Sequence, residues 1–228
     1  MLKSILTCAV LCAAMLAAAC NRDASAGDGA AISAPEAAKG VAGKVDANTY
    51  FDKQFGLTIT APEGWYVADT EMTQSVMDAG ADLMSAESDA RTKAMMSAAL
   101  KRTRNLFTFI EHPPGTPVDS NASMMGVAEN VGVLPGIKNG EDYFFHMRKL
   151  FQQTNAPVEV VGDYRSRKIG GQMFDRMDLK MTVMGQTVLQ RVYAARHDEW
   201  IVGIVQAYQS DEQLTQLDKT LESIKLDW

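Results

Sequence analysis

The chain has 228 residues, 46% of them hydrophobic and 22% charged, with a formal net charge of −6. This acidity excludes the basic footprint of a nucleic-acid-binding surface, and the length suffices for one domain with a sizeable core. With only 3 cysteines, all within the first 20 residues, a disulfide framework beyond that point is excluded as well.

Lys3 precedes an uncharged, Ala-rich run from Ile5 to Cys20. At about 16 residues it is shorter than the roughly 20 that a membrane-spanning helix requires. A basic start, a short apolar run and small residues before a cut describe a secretory signal, here residues 1–19. Ala17, Ala18 and Ala19 before Cys20 resemble the bacterial lipobox, which implies cleavage before Cys20 and attachment of acyl chains such as palmitate to it. Two alternatives stand beside this: ordinary cleavage after Ala26, in Ala24-Ser25-Ala26, would release a secreted soluble protein, and an uncleaved run would stay as an anchor. Resemblance to enterobacterial lipoprotein sorting, where an aspartate at the position of Asn21 signals inner-membrane retention, implies the outer membrane, with the protein facing the periplasm. Removal of the signal takes away Lys3, Cys8 and Cys12, leaving a net charge of −7 and Cys20 as the one cysteine, linked to lipid.

Residues 20–47 are expected to form the lipidated cysteine and a flexible tether, because a segment dominated by Ala and Gly cannot bury enough apolar surface to offset its ordering entropy. As a random coil it would span about 30 Å. Residues 48–228 are expected to form a single domain. Leu57 and Ile59 alternate with Thr58 and Thr60, predicting a strand that leads through a Pro-Gly turn to a buried Trp65. Met72, Val76, Ala79, Leu83, Ala86 and Ala90 recur at helical spacing, predicting a helical region to Lys101 with a break near Ser88. Arg102 and Arg104 would then complement its C-terminal dipole. Residues 106–110 and 122–130 read as two strands joined by a loop from His112 to Pro117. A helix over 141–153 follows, capped by Asn139, with Phe144, Met147 and Phe151 on one face.

The last third reads as successive strands before a helix over 211–223. A two-residue loop at Gly170-Gly171 sets Val158 opposite Val183, Val160 opposite Met181, Gly162 opposite Leu179 and Tyr164 opposite Met177. A turn at Gly185-Gln186 sets Val188 opposite Val183, Val192 opposite Leu179 and Asp175 opposite Arg196. A turn at Asp198-Glu199 pairs Val192 with Val205 and Tyr193 with Ile204. All three placements put apolar residues on one face, and a one-residue slip would invert every side chain.

The last two strands are apolar on both faces, which predicts an α+β fold: a mainly antiparallel sheet with helices on both faces, an α/β/α sandwich. The strand with Ala61-Pro-Glu-Gly-Trp65, the hairpin Ile169-Gly-Gly-Gln-Met-Phe174, the strand Gln190-Arg-Val-Tyr-Ala194 and the ending Leu221-Glu-Ser-Ile-Lys-Leu226 resemble bacterial lipoproteins of the PsbP-like superfamily over residues 50–228. The resemblance implies a non-enzymatic assembly, scaffold or binding protein and carries over no site residues.

His112, His146 and His197 lack metal-ligand spacing, and no nucleophile elbow, phosphate loop or dinucleotide fingerprint occurs. Glu111 beside His112 reads as a solvated loop. Catalytic residues, metal and cofactor are all expected to be absent. Met173, Met177 and Met181 share a strand face and could suit Cu(I) in an exported protein, but the register places Met177 and Met181 on the packed face, where methionine fills core. On the opposite face Arg165 and Arg167 meet Arg176 and Phe174, and Lys180 faces Arg191. Like charges directly opposite are destabilising. Arg165, Arg167, Arg176, Lys180 and Arg191 are therefore read either as charges that keep an edge soluble or as a surface for an anion or acidic partner. The expected function is that of a membrane-anchored envelope lipoprotein acting by binding, its partners the membrane through the N-terminal lipid and another envelope protein. The alternative is a periplasmic small-ligand or Cu(I)-binding protein.

Overall fold

The computed structural model describes residues 43–228 apart from 47, 86, 87, 135, 155 and 184. The expected signal sequence, Cys20 and most of the expected tether lie outside the described residues. Within that tether, however, Lys44–Asp46 (β1) pairs antiparallel with Thr49–Asp52 (β2), so regular structure begins before residue 48. Leu57–Thr60 (β3) pairs with β2, and at the far end of the chain Lys225–Leu226 (β11) pairs with β3. The result is a four-stranded antiparallel sheet in the order β1-β2-β3-β11.

A second, seven-stranded sheet is built from Tyr66–Val67 (β4), Thr103–Ile110 (β5), Ser123–Asn130 (β6), Val158–Ile169 (β7), Gln172–Val183 (β8), Gln186–His197 (β9) and Trp200–Tyr208 (β10). Its order is β4-β5-β6-β10-β9-β8-β7. The helices are Thr70–Ser85 (α1), Ala90–Leu100 (α2), Gly140–Thr154 (α3) and Asp211–Glu222 (α4). The fold class is α+β with antiparallel sheets, as the alternating patterns predict.

The coverage of the large sheet differs from the expectation on one side. Helices α1, α2 and α3 cover one face, where Met77, Met96, Tyr143, Phe144 and Met147 pack on Val127, Met177, Leu179, Val192 and Val205. The other face is covered by α4 together with the four-stranded sheet: Leu57, Ile59, Trp65, Leu217 and Leu221 pack on Phe109, Met124, Phe174, Tyr193 and Ile204. The small sheet can serve because its short strands bury alternate residues, Tyr50 with Asp52 and Leu57 with Ile59.

Local signals account for the helices. Asp89 caps α2, accepting from the Thr92 backbone N–H at 2.7 Å, which is the physical basis of the break between α1 and α2. The buried face of α1 is Thr73, Val76, Met77 and Ala81, whereas Ala79 and, on α2, Ala90 are exposed. The small alanines contribute too little apolar area to choose the face that Met77 occupies. Lys101 ends α2, so Arg104 belongs to β5 rather than to a helix terminus. Asn139 accepts from the Asp142 N–H at 2.8 Å, the expected cap of α3.

The register confirms the face of every strand in β7–β10 but not every pair. Near Gly170-Gly171 the expected pairs form, Arg165 with Arg176 and Arg167 with Phe174. Beyond a bulge between Val161 and Arg165 the partners move by two, so Val158 faces Met181 and Val160 faces Leu179. Gly162 sits in that bulge at φ 71°, a left-handed conformation open to glycine. The β8–β9 turn falls one residue earlier than expected, pairing Val183 with Gln186, Met177 with Val192 and Asp175 with Ala194. Both corrections are of two residues, which leaves each side chain on its expected face. The β9–β10 pairs Val192 with Val205 and Tyr193 with Ile204 are as expected.

The start of α3 touches the sheet backbone. A Cβ on Gly140 would lie 2.3 Å from the Ala194 carbonyl oxygen and 2.9 Å from Asp175 Cβ. Asp175 in turn accepts from the Glu141 N–H at 3.0 Å and from the Ser166 hydroxyl at 3.1 Å. Gly140→Ala is expected to lower stability by roughly 1–3 kcal/mol, read as an earlier midpoint in urea denaturation.

Candidate functional site

On the face that carries α4 and the small sheet, coverage reaches Arg167 and Ile169 at one end of β7 and Phe174 on β8, and leaves the face open toward Val161, Arg165 and Lys180. All five basic residues singled out in the sequence lie on it. Arg167 Nη1 donates to Asp218 Oδ1 at 2.7 Å and its Nη2 to Glu222 Oε1 at 3.2 Å, both acceptors on α4. Arg191 Nη1 donates to Asp218 Oδ2 at 3.0 Å, and its guanidinium lies 5.9 Å from the centre of the Tyr208 ring. Arg176 Nε donates to Asp178 Oδ1 at 2.6 Å, and the hydrogen-bonded carboxylate holds the guanidinium above its ordinary pKa. Lys180 Nζ is 3.9 Å from Glu159.

The register corrects the expected clash of like charges here. Lys180 faces Leu189, and Arg191 faces Asp178. Arg165 does face Arg176, as expected, and is the member of the set without an acidic partner among the described residues. Val161, 44% exposed, lies on the same face. The surface is thus a lattice of arginines held flat by carboxylates, with Arg165 at its edge unpaired among the described residues. Arg176 and Arg191 are ordered before any partner arrives, their side chains 13% and 18% exposed.

Other candidates fall into structural roles. Met177 and Met181 are fully buried against Val192 and Val188, while Met173 is 62% exposed at the hairpin end, so the three do not converge. His112 follows β5, His146 lies on α3 and His197 ends β9. Glu111 Oε2 accepts from Gln213 Nε2 at 2.8 Å and from the Ala122 N–H at 3.3 Å, tying the β5–β6 loop to α4 rather than serving His112. Among the described residues no three His, Cys, Asp or Glu side chains group as metal ligands would, and no helix is long and apolar enough to cross a membrane.

Two buried acids escaped the sequence reading. Asp52, 0% exposed, pairs with Arg104 of β5 and accepts from the Gln54 and Phe55 N–H groups at 2.9 and 3.2 Å and from the Tyr50 hydroxyl at 3.1 Å. Burial, reinforced by the Asp52 charge, raises the Tyr50 pKa. This network locks the small sheet to the large one. Glu129 lies on the opposite face, beneath α3, and accepts from the Tyr143 hydroxyl at 2.7 Å. Its Oε1 has no hydrogen-bond partner among the described residues, and burial pushes its carboxyl up to about 8 against the opposing pull of Tyr143 and Arg102. A lone acid inside the apolar run of β6 was the available signal.

No protein-family model and no curated protein matches the chain. Similar solved structures include the cyanobacterial PsbP protein CyanoP of Synechocystis sp., at 11% identity over 83% of this chain and 99% of that one, TM-score 0.47. LpqN of Mycobacterium tuberculosis, described as involved in cell envelope biogenesis, is 13% identical over 75% of this chain and 83% of its own, TM-score 0.39. The Ran-binding protein Mog1p of Saccharomyces cerevisiae is 11% identical over 81% and 85%, TM-score 0.37. Likenesses at this level carry no functional inference.

Glu129 makes stability depend on pH. Its folded pKa is raised above the unfolded value, so its contribution is fully present below about 4.5 and is lost as pH rises through about 8. Glu129→Gln is expected to gain stability relative to the parent by roughly 2–4 kcal/mol between pH 5 and pH 8, measured by chemical denaturation at each pH.

Proposed function

We propose that the protein is an envelope lipoprotein, tethered by lipid on Cys20 and facing the periplasm, whose domain acts by binding another envelope protein rather than by catalysis. The observation that carries this reading is the open face of the large sheet. Arginine and tyrosine are favoured in binding interfaces, and a side chain already fixed by Asp178 or Asp218 loses little entropy when a partner docks. Arg165, without a carboxylate partner among the described residues, supplies the charge that a partner's acidic side chain would meet. The Ala- and Gly-rich stretch after Cys20 supports the reading by giving the domain reach from the membrane.

The geometry also selects the mutations. Arg167, Arg176 and Arg191 hold internal ion pairs, so reversing them would disturb the fold, whereas Arg165 and Lys180 are exposed. In crosslinked pull-downs from membranes, Arg165→Glu with Lys180→Glu is expected to lower recovery of the partner about tenfold without changing the melting temperature. Unchanged recovery would contradict the surface assignment. Mass spectrometry of the same sample is expected to show a mature N-terminus at acylated Cys20, and a chain starting at Gly27 would contradict the anchor.

A further inference from the structure

On the other side of the large sheet, a solvent-open cavity of about 400 Å³ lies between α1 and α2, a volume within the range of small-molecule sites. Ala81 and Met96, both buried, line it at depth, and charged or polar side chains line its mouth. Asp78 and Asp82 stand four residues apart and so share a face of α1, and Lys93 and Ser97 do the same on α2. Asp78 accepts from Gln74 Nε2 at 2.9 Å and is thereby oriented. Asp82 and Lys93 have no ionic partner among the described residues, although both border the same cavity.

We infer that this cavity binds a small zwitterion with an apolar chain, of the α-amino acid type. The ammonium group lies between Asp78 and Asp82, the carboxylate meets Lys93 with Ser97 as a further donor, and the chain enters toward Ala81 and Met96. Two acids against one base leave the site with a residual negative charge. A cationic head is therefore favoured over an anionic one, while Lys93 distinguishes a zwitterion from a simple amine. The site lies across the sheet from the arginine face and does not depend on it.

Isothermal titration of the full chain with L-norleucine, hexylamine and hexanoate tests the assignment. Norleucine is expected to bind more tightly than either single-charge analogue, and Asp82→Asn or Lys93→Gln to weaken it about tenfold each. Both substitutions fall at exposed positions, and circular dichroism verifies that each variant folds. Equal binding of hexylamine and norleucine would overturn the zwitterion. Absence of binding by all three, or norleucine binding unchanged in both variants, would overturn the site.

Discussion

The central strands of the seven-stranded sheet carry large apolar side chains on both faces, and the chain is not stable until both are removed from water. Every other feature of the fold answers that constraint. One face is closed by three helices, whose Tyr143, Phe144 and Met147 are fully buried against it. The other is closed by α4 and by a small sheet made from opposite ends of the described chain, β1 to β3 and β11. The small sheet is too short to be stable alone. It is held by apolar contact and by the Asp52–Arg104 pair, whose carboxylate is satisfied on every side by Tyr50, Gln54 and Phe55. A buried charge of this kind costs heavily unless fully hydrogen-bonded, and here it is.

Coverage on that side reaches β7 only at its Arg167–Ile169 end. The uncovered portion cannot be apolar without inviting aggregation, and it is charged instead. The charge is not loose: Asp218 alone engages both Arg167 and Arg191, so the edge of α4 organises the open surface as well as the core beneath it. The bulge at Gly162 interrupts the β7 ladder next to Val161, blunting edge pairing while leaving the face presentable. Structure that began as a packing solution thus produces an ordered polar surface.

Much of this was legible in the sequence wherever the cause is local. Alternation and turn residues located β3 and the β7–β10 hairpins, and Asn139 marked the start of α3, because period and capping act over a few residues. Side-chain face survived even where pairing was wrong, since the Gly162 bulge and the earlier β8–β9 turn each shift the register by two. What could not be read depends on distant segments. Arg191 meets Asp218 only because α4 folds back across 27 residues, and Arg104 meets Asp52 across 52. Glu129 was visible as an acid in an apolar strand, but its burial follows from α3 docking above it. The two-residue strand β11 is too short for any pattern to announce it.

The most direct test places a photo-crosslinking side chain at position 165, on the open sheet face, and separately at Gln152, exposed on α3 across the sheet, in cells making the full chain. Illumination is expected to give one discrete protein adduct from position 165 and none from position 152. No adduct from position 165, or the same adducts from both positions, would contradict the claim that the uncovered face of the sheet is where this protein works.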